Sequence, residues 1–107
     1  MANVLLVEDD PEQLELRRTL LERSGHRVGS AHSAAEALEL LSGFEVIVMD
    51  LRIPEESDGL NLIRAIGTSA RIIVLSGGPA PDAPVDVFLS KPCPTRVLLD
   101  AIAQLSA

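Results

Sequence analysis

The stretch from Val4 to Pro11 reads VLLVEDDP. Its four consecutive apolar residues are typical of a strand that is buried on both faces, as in a parallel sheet. The acids that follow end the strand, and Asp10 is a candidate helix N-cap with Pro11 at the first helical position. A buried strand that passes directly into a helix predicts a sheet with helices packed against it.

The same alternation of strand and helix continues along the chain. A capping-box pattern at 33–36 predicts a second helix, and the apolar spacing within 60–66 and 98–105 predicts two more. A loop is expected at 54–59. The predicted strands lie at 4–7, 27–31, 44–49, 72–75 and 85–89. This order predicts a parallel α/β sheet that is covered by helices on both faces.

One connection has a composition that disfavours a helix. The segment Gly77–Pro84 contains three prolines and two glycines, and both residue types oppose helix formation. Parallel strands are usually joined by a crossover of about a dozen residues or more. Eight extended residues nevertheless span about 26 Å, which exceeds a strand length of about 17 Å. We therefore expect a parallel sheet that lacks the helix before its fifth strand.

Length and composition narrow the class of protein. A chain of 107 residues, 47% hydrophobic and 23% charged, is expected to form one domain over 1–107. The net charge of -7 and the two aromatic residues, both Phe, argue against a direct nucleic-acid partner. The single cysteine, Cys93, excludes an internal disulfide. Because no signal-peptide pattern or membrane-length apolar run is found, we expect a cytoplasmic protein with no membrane partner.

Each strongly apolar run is followed by a residue that can take part in polar chemistry. Glu8 and Asp9 follow the first strand, Asp50 the third, Ser76 the fourth and Lys91 the fifth. Functional groups of parallel α/β sheets collect beyond the carboxyl ends of the strands. Carboxylates that are brought together repel one another unless a cation joins them. A small number of oxygen ligands suits Mg²⁺.

These residue types fit phosphoryl transfer. An aspartate such as Asp50 can attack a phosphoryl donor and become an aspartyl phosphate. A metal ion and a lysine would neutralise the phosphoryl oxygens, and the Ser76 hydroxyl would hydrogen-bond to one of them. Lys91 is the only lysine beside eight arginines, and its compact ammonium suits a point contact with a phosphoryl oxygen.

Four segments, in order, resemble the receiver domains of bacterial two-component response regulators. They are VEDDP at 7–11, MDLRIP at 49–54, LSG at 75–77 and SKP at 90–92. The resemblance covers essentially the whole chain and implies a flavodoxin-like fold with strand order 2-1-3-4-5. It also implies a signalling protein that is phosphorylated, rather than an enzyme for external substrates. The implied partners are a sensor histidine kinase or phosphotransfer protein and a downstream output protein or domain.

The resemblance also assigns roles to individual residues. Asp50 would be the phosphoacceptor and Lys91 the lysine that binds the phosphoryl group. Glu8, Asp9 and Asp50 would hold Mg²⁺. The backbone carbonyl of Arg52 would complete the protein ligands of the metal.

A switch pair is implied as well, formed by Ser76 and Phe88, and the Lys91–Pro92 peptide bond is implied to be cis. The sequence departs from the family pattern in three places. The 54–59 loop is one residue longer than usual, Cys93 stands where an aromatic residue is common, and the helix before the fifth strand is missing. These departures affect the expected output surface rather than the phosphorylation chemistry.

Two other functions stay open at this point. The first is a receiver-like interaction module whose docking does not depend on phosphorylation, which the missing helix and the altered loop motivate. The second is a small Mg²⁺-dependent phosphohydrolase, since Asp, Lys and Ser also serve that chemistry, although no insertion could form a lid. No output segment follows the last predicted helix, so we expect a stand-alone receiver or a part of a longer regulator.

Overall fold

Five strands and four helices alternate along residues 2–106, the part of the chain that the computed structural model describes. The strands are β1 (Asn3–Val7), β2 (Arg27–Ala31), β3 (Val46–Asp50), β4 (Arg71–Ser76) and β5 (Val87–Ser90). The helices are α1 (Pro11–Arg23), α2 (Ala34–Leu40), α3 (Glu56–Ile66) and α4 (Thr95–Leu105). The sheet order is β2-β1-β3-β4-β5, and every neighbouring pair is parallel. The predicted flavodoxin-like fold is confirmed; Met1 and Ala107 of the predicted 1–107 domain lie outside the described residues.

The starts of the first two helices follow from their capping residues. The Asp10 carboxylate accepts a hydrogen bond from the Glu12 N–H at 3.0 Å, so that the first turn of α1 has a partner for one of its unpaired donors. At α2, the Ser33 hydroxyl accepts a hydrogen bond from the Glu36 N–H at 3.1 Å. Both predicted N-caps are therefore confirmed.

The sheet separates two apolar cores, one on each face. Along β3, Ile47 and Met49 belong to the core under α2 and α3, whereas Val46 and Val48 belong to the core under α1 and α4. Successive side chains of a strand point to opposite faces, so a strand covered on both sides has to be apolar throughout. This double burial confines polar side chains to the strand ends.

Some predicted boundaries are wrong. Helix α3 begins at Glu56, inside the predicted 54–59 loop, because the Asp58 carboxylate accepts a hydrogen bond from the Glu55 N–H at 3.2 Å and stabilises the first turn. Strand β3 begins at Val46 rather than at 44, and β5 begins at Val87 rather than at 85.

The connection between β4 and β5 has no helix over the described residues 77–86, as predicted. It is attached to the sheet by Asp86, whose carboxylate accepts a hydrogen bond from the Ile72 N–H at 2.7 Å and forms an ion pair with Arg71 at 3.3 Å. The Lys91–Pro92 peptide bond is cis, as the resemblance implied, and the Ile53–Pro54 bond is also cis. Within residues 2–106, each helix is too short or too polar to traverse a bilayer.

Helix α3 packs very closely against the chain that follows β3. A Cβ atom placed on Gly59 would lie 1.8 Å from the carbonyl oxygen of Leu51 and 2.7 Å from its carbonyl carbon. Only glycine permits this approach, since the atoms that would clash belong to the backbone and cannot rotate away. The contact fixes α3 to the residue directly after Asp50.

We expect Gly59→Ala to destabilise the fold by about 2 kcal/mol or more, because the added methyl group overpacks a rigid contact. In a helix without this contact, the same substitution would stabilise by up to about 1 kcal/mol. Urea unfolding measures the difference. Gly77→Ala is the matched control, because no atom lies within 4 Å of its Cβ position, and it should change the free energy of unfolding by less than about 0.5 kcal/mol. A Gly59→Ala variant as stable as the parent would contradict the packing argument.

Candidate functional site

The register of β1 and β3 brings two acids side by side. Val7 pairs with Met49 in the parallel ladder, so the next residues along the two strands, Glu8 and Asp50, leave the sheet at the same level. Both residues are buried, Glu8 with 5% and Asp50 with 4% of its surface exposed. The sequence predicted this pairing from the strand ends alone.

The remaining strand ends are aligned in the same way. Asp50 pairs with Leu75, and Ser76 pairs with Ser90. Ser76 therefore directly follows the residue that pairs with Asp50, which is Leu75. Lys91 directly follows Ser90, the residue that pairs with Ser76. A backbone hydrogen bond from the Lys91 N–H to the Ser76 carbonyl, 2.9 Å long, continues the ladder past β5.

Asp50 and Lys91 form the shortest ion pair at this edge of the sheet in the described part of the chain. Nζ of Lys91 lies 2.8 Å from Oδ1 of Asp50, whose side chain is 5% exposed, compared with 39% for Lys91. Although the distance is short, no donor in residues 2–106 meets Oδ1 at hydrogen-bond angles. The contact therefore neutralises charge without using the lone pairs of Oδ1 in a well-directed hydrogen bond.

A solvent-open cleft of about 340 Å³ lies over this pair, and Asp50, Arg52, Ser76 and Lys91 line it. The Ser76 side chain is held at its wall, because its hydroxyl oxygen accepts a hydrogen bond from the Gly78 N–H at 3.1 Å. A carboxylate, a hydroxyl and an ammonium thus border one small polar space. These three groups are of the kinds that can accept, hydrogen-bond and neutralise a phosphoryl group.

Arg17 on α1 reaches the acids from the other side, and the sequence analysis missed it. Its Nη1 lies 3.1 Å from Oε2 of Glu8 and 3.5 Å from Oδ2 of Asp50. The other oxygen of Glu8 accepts a hydrogen bond from the Asp10 N–H at 3.1 Å. A single cationic nitrogen therefore bridges the two carboxylates.

The spacing of the buried leucines in α1 could have indicated that Arg17 faces the acids. Leu14 and Leu21 are the buried residues of this helix, and Arg17 lies three residues after the first and four before the second. Residues at this spacing share one face of a helix. A charged residue on the buried face of a helix that follows two acids could have been identified as their partner.

Burial and the nearby positive charge shift the pKa of Asp50 in opposite directions. Burial raises the pKa of its carboxyl group above the ordinary value of 3.8, and the nearby Lys91 ammonium opposes that rise. Burial also lowers the pKa of the Arg17 guanidinium, but an arginine remains protonated at neutral pH. Two carboxylates thus face two cations.

The predicted metal ligands are only partly brought together. Glu8 and Asp50 converge on Arg17, whereas Asp9 is exposed. Residues 2–106 hold no group of three or more His, Cys, Asp or Glu side chains suited to a metal ion. The two converging carboxylates have the hard oxygen donors that Mg²⁺ prefers, so the donor chemistry fits. The ligand roles of Glu8, Asp9, Asp50 and the Arg52 carbonyl all stay predictions.

The remaining residues that the sequence singled out lie near the cores or at the surface. Phe88 on β5 is half-buried and packs against the core under α2 and α3, and its switch role stays a prediction. Cys93 is half-buried against the opposite core.

The sequence matches a known family over most of its length. Residues 4–103 match the response regulator receiver domain family. Among curated proteins, the transcriptional regulatory protein GlrR of Escherichia coli is 36% identical over 113 residues, and the match covers 94% of this chain and 25% of GlrR. The chain therefore spans about a quarter of the length of the first curated relatives that it matches.

Solved structures share the fold. A CheY-like receiver domain protein from Methanospirillum hungatei has a TM-score of 0.86 at 25% identity, over 99% of this chain and 94% of that one. The response regulator TrrA of Thermotoga maritima, solved in complex with Mg²⁺ and BeF, has a TM-score of 0.84 at 22% identity, over 98% and 99%. With the family match, the sheet order and the aligned strand ends, these likenesses lead to one conclusion: the chain belongs to the response regulator receiver domains.

Proposed function

We propose that this receiver domain takes a phosphoryl group from the phosphohistidine of a histidine kinase or phosphotransfer protein onto Asp50, in a Mg²⁺-dependent reaction. The phosphorylated domain then changes conformation and controls a partner. The observation that carries the proposal is the 2.8 Å ion pair between Asp50 and Lys91 at the wall of a cleft that Ser76 also lines.

Asp50 supplies the nucleophile. One of its carboxylate oxygens forms the new O–P bond while the P–N bond to the donor imidazole breaks, and the electron pair of the broken bond stays with the imidazole. An ionised carboxylate has no proton to lose, so this step needs no general base. What the site has to provide is a charged Asp50 and positive groups around the transferred oxygens.

Lys91 and Ser76 act on the transferred group. The Lys91 ammonium, already next to Asp50, would contact a phosphoryl oxygen and balance its charge. The Ser76 hydroxyl uses its oxygen to accept a hydrogen bond from the Gly78 N–H, which leaves its proton for a phosphoryl oxygen. Both side chains border the same cleft as Asp50.

Glu8 and Asp50 would hold the metal, because their carboxylates already converge on one positive nitrogen. Asp9 and the backbone carbonyl of Arg52 would complete the protein ligands, as in the family. The ion, when bound, supplies positive charge to the oxygens of the phosphoryl group. The complex of TrrA with Mg²⁺ and BeF supports this assignment.

The switch would pass from the cleft to β5. A new hydrogen bond between the phosphoryl group and Ser76 would draw the start of the β4–β5 connection toward Asp50. Phe88 on the adjacent strand would respond by repacking, since it is only half-buried. Such a shift between two arrangements is a population change that the covalent modification biases.

The partners follow from the same assignment. A histidine kinase or phosphotransfer protein would donate the phosphoryl group in the cytoplasm, and an output protein or domain would read the switch. The curated relatives are transcriptional regulators. If this receiver domain is part of a longer protein, we propose that its output controls transcription. The chain itself would act as one receiver domain and not as an enzyme for external substrates.

The β4–β5 connection favours one other candidate, a receiver-like interaction module whose docking is independent of phosphorylation. The connection has an irregular, proline-rich backbone over the described residues 77–86 in place of a helix. A surface altered in this way could bind a partner without responding to Asp50. That candidate expects the same partner affinity before and after phosphorylation.

Incubation with a small phosphodonor and Mg²⁺ should add one phosphoryl group to the parent protein and none to Asp50→Asn, because an amide cannot form the acyl phosphate. Intact-protein mass spectrometry measures the addition. Asp10→Asn is the matched control: it makes the same chemical change at an exposed helix cap, where Asn caps as well as Asp, and it should be phosphorylated like the parent. An unmodified parent protein, or an Asp50→Asn variant that is modified equally, would contradict the proposed function.

The negative charge of the buried Asp50 carboxylate, which the proposed reaction needs, should lower the free energy of unfolding. The pKa of Asp50 in the folded protein lies above 3.8. The contribution of Asp50 to the free energy of unfolding is therefore fully present below pH 3.8, and it is lost as the pH rises through the raised pKa. Asp50→Asn carries no such charge, so its urea midpoint should exceed that of the parent at about pH 7, and the excess should shrink toward about pH 4. Asp10→Asn should show no pH-dependent excess of this kind. A lower midpoint for Asp50→Asn at neutral pH would refute the expected charge cost.

A further inference from the structure

We propose that Arg17 is a resident counter-cation of the receiver site, and that a divalent cation binds to Glu8 and Asp50 only by displacing its guanidinium. The inference rests on the proposed function, because it takes Glu8 and Asp50 as the metal-holding carboxylates. It adds a residue on α1 to the site and sets the order of events there: Arg17 leaves, and then the metal ion binds.

The first argument is geometric. The same atom, Nη1 of Arg17, lies 3.1 Å from Oε2 of Glu8 and 3.5 Å from Oδ2 of Asp50. A Mg²⁺ ion bound to these two oxygens would need to lie about 2.0–2.1 Å from each, which places it in the space between them. Nη1 already lies at ion-pair distance from both of these oxygens, so the guanidinium and the ion compete for the same two acceptors.

The second argument is electrostatic. Glu8 and Asp50 bring two negative charges, and Arg17 and Lys91 bring two positive ones at ion-pair distances. With Asp9, the third carboxylate of the proposed metal site, these groups have a net charge of -1. Without the guanidinium the net charge is -2, so Arg17 weakens the attraction of the site for a divalent cation. Since Glu8, Asp50 and Arg17 are mostly shielded from water, their charges act at a lower effective dielectric constant than surface charges do.

The third argument concerns how Arg17 is held and where it can go. Its side chain is 19% exposed and lies on the helix face of the buried Leu14 and Leu21. An open groove of about 610 Å³, lined among others by Arg17, Gln13 and Cys93, adjoins it. The guanidinium can therefore swing into solvent while α1 stays in place.

Arg17→Leu should bind Mg²⁺ at least about tenfold more tightly than the parent, because it removes one nearby positive charge and clears the space between the carboxylates. The chain has no Trp or Tyr, so the dissociation constant is measured by calorimetry and by amide chemical shifts during Mg²⁺ titration. Arg18→Leu is the matched control. It makes the same charge change on the same helix at a residue that pairs with exposed Glu22, and it should alter the affinity by less than about twofold.

Arg17→Gln provides a second route should the leucine variant fold poorly, since an amide can still donate a hydrogen bond to Glu8. A ligand that binds only the folded state raises the free energy of unfolding by RT ln(1 + [L]/Kd), so at one ligand concentration the tighter binder is stabilised more. Saturating Mg²⁺ should therefore raise the midpoint of Arg17→Gln by more than that of the parent or of Arg18→Leu. This readout does not depend on phosphorylation.

Equal Mg²⁺ affinity in the parent, Arg17→Leu and Arg17→Gln would overturn the inference and leave the proposed function standing, provided that Asp50 is still phosphorylated. Weaker binding in the Arg17 variants would overturn it too, because Arg17 would then support the site instead of competing for it. No Mg²⁺ binding in any of the proteins would reject the inference, and the absence of phosphorylation as well would reject the proposed function.

Discussion

The parallel register of four strands is the constraint on which the site depends. Strands β1, β3, β4 and β5 are aligned so that Glu8, Asp50, Ser76 and Lys91 leave the sheet at one edge. Because both faces of the central strands are covered by apolar cores, a polar residue inside a strand would lose its hydration without gaining a partner. The same packing that stabilises the sheet therefore concentrates reactive side chains at its carboxyl edge, and a shift of one strand by one residue would disperse them.

The balance of positive and negative side chains determines whether buried acids can lie this close together at the edge of the sheet. Two almost fully buried acids on neighbouring strand ends would repel each other, and burial alone already raises the pKa of Asp50. Lys91 and Arg17 supply the opposing charge from two different directions, one from the end of β5 and one from α1. The proposed reaction requires Asp50 to be ionised and free of strong hydrogen bonds, while the stability of the fold favours a neutral or fully paired carboxyl group. The structure meets both demands in part: the ion pair of Asp50 with Lys91 is short, at 2.8 Å, and the ion pair with Arg17 is longer, at 3.5 Å.

Most of the fold could be predicted from the sequence because its strongest features are local. Continuous apolar runs identified the buried strands, and the prolines of 77–84 identified the helix-free connection, since both effects act within a few residues. The start of α3 was missed because it depends on a side-chain contact between Asp58 and the Glu55 backbone. Arg17 was missed for a related reason: helix periodicity places it on the face toward the sheet, but only the packing of α1 on β1 shows that its side chain reaches the acids. The strand-end rule predicted that Glu8, Asp50, Ser76 and Lys91 lie at one edge of the sheet, but it gave neither their mutual distances nor the residue of α1 that contacts them.

The use of one lysine in the whole chain has a chemical consequence. Apart from the α-amino group, the only amine is the one beside Asp50, and all other fixed positive charges are guanidinium groups. Acetyl donors acylate amine nitrogens and spare guanidinium groups, so N-acylation of a side chain would fall on Lys91 alone. It would remove the charge opposite Asp50 and leave the remainder of the surface unchanged. The Lys91 side chain is 39% exposed, which makes the amine accessible to such reagents. Under the proposed function, acylation of this one side chain would block phosphorylation.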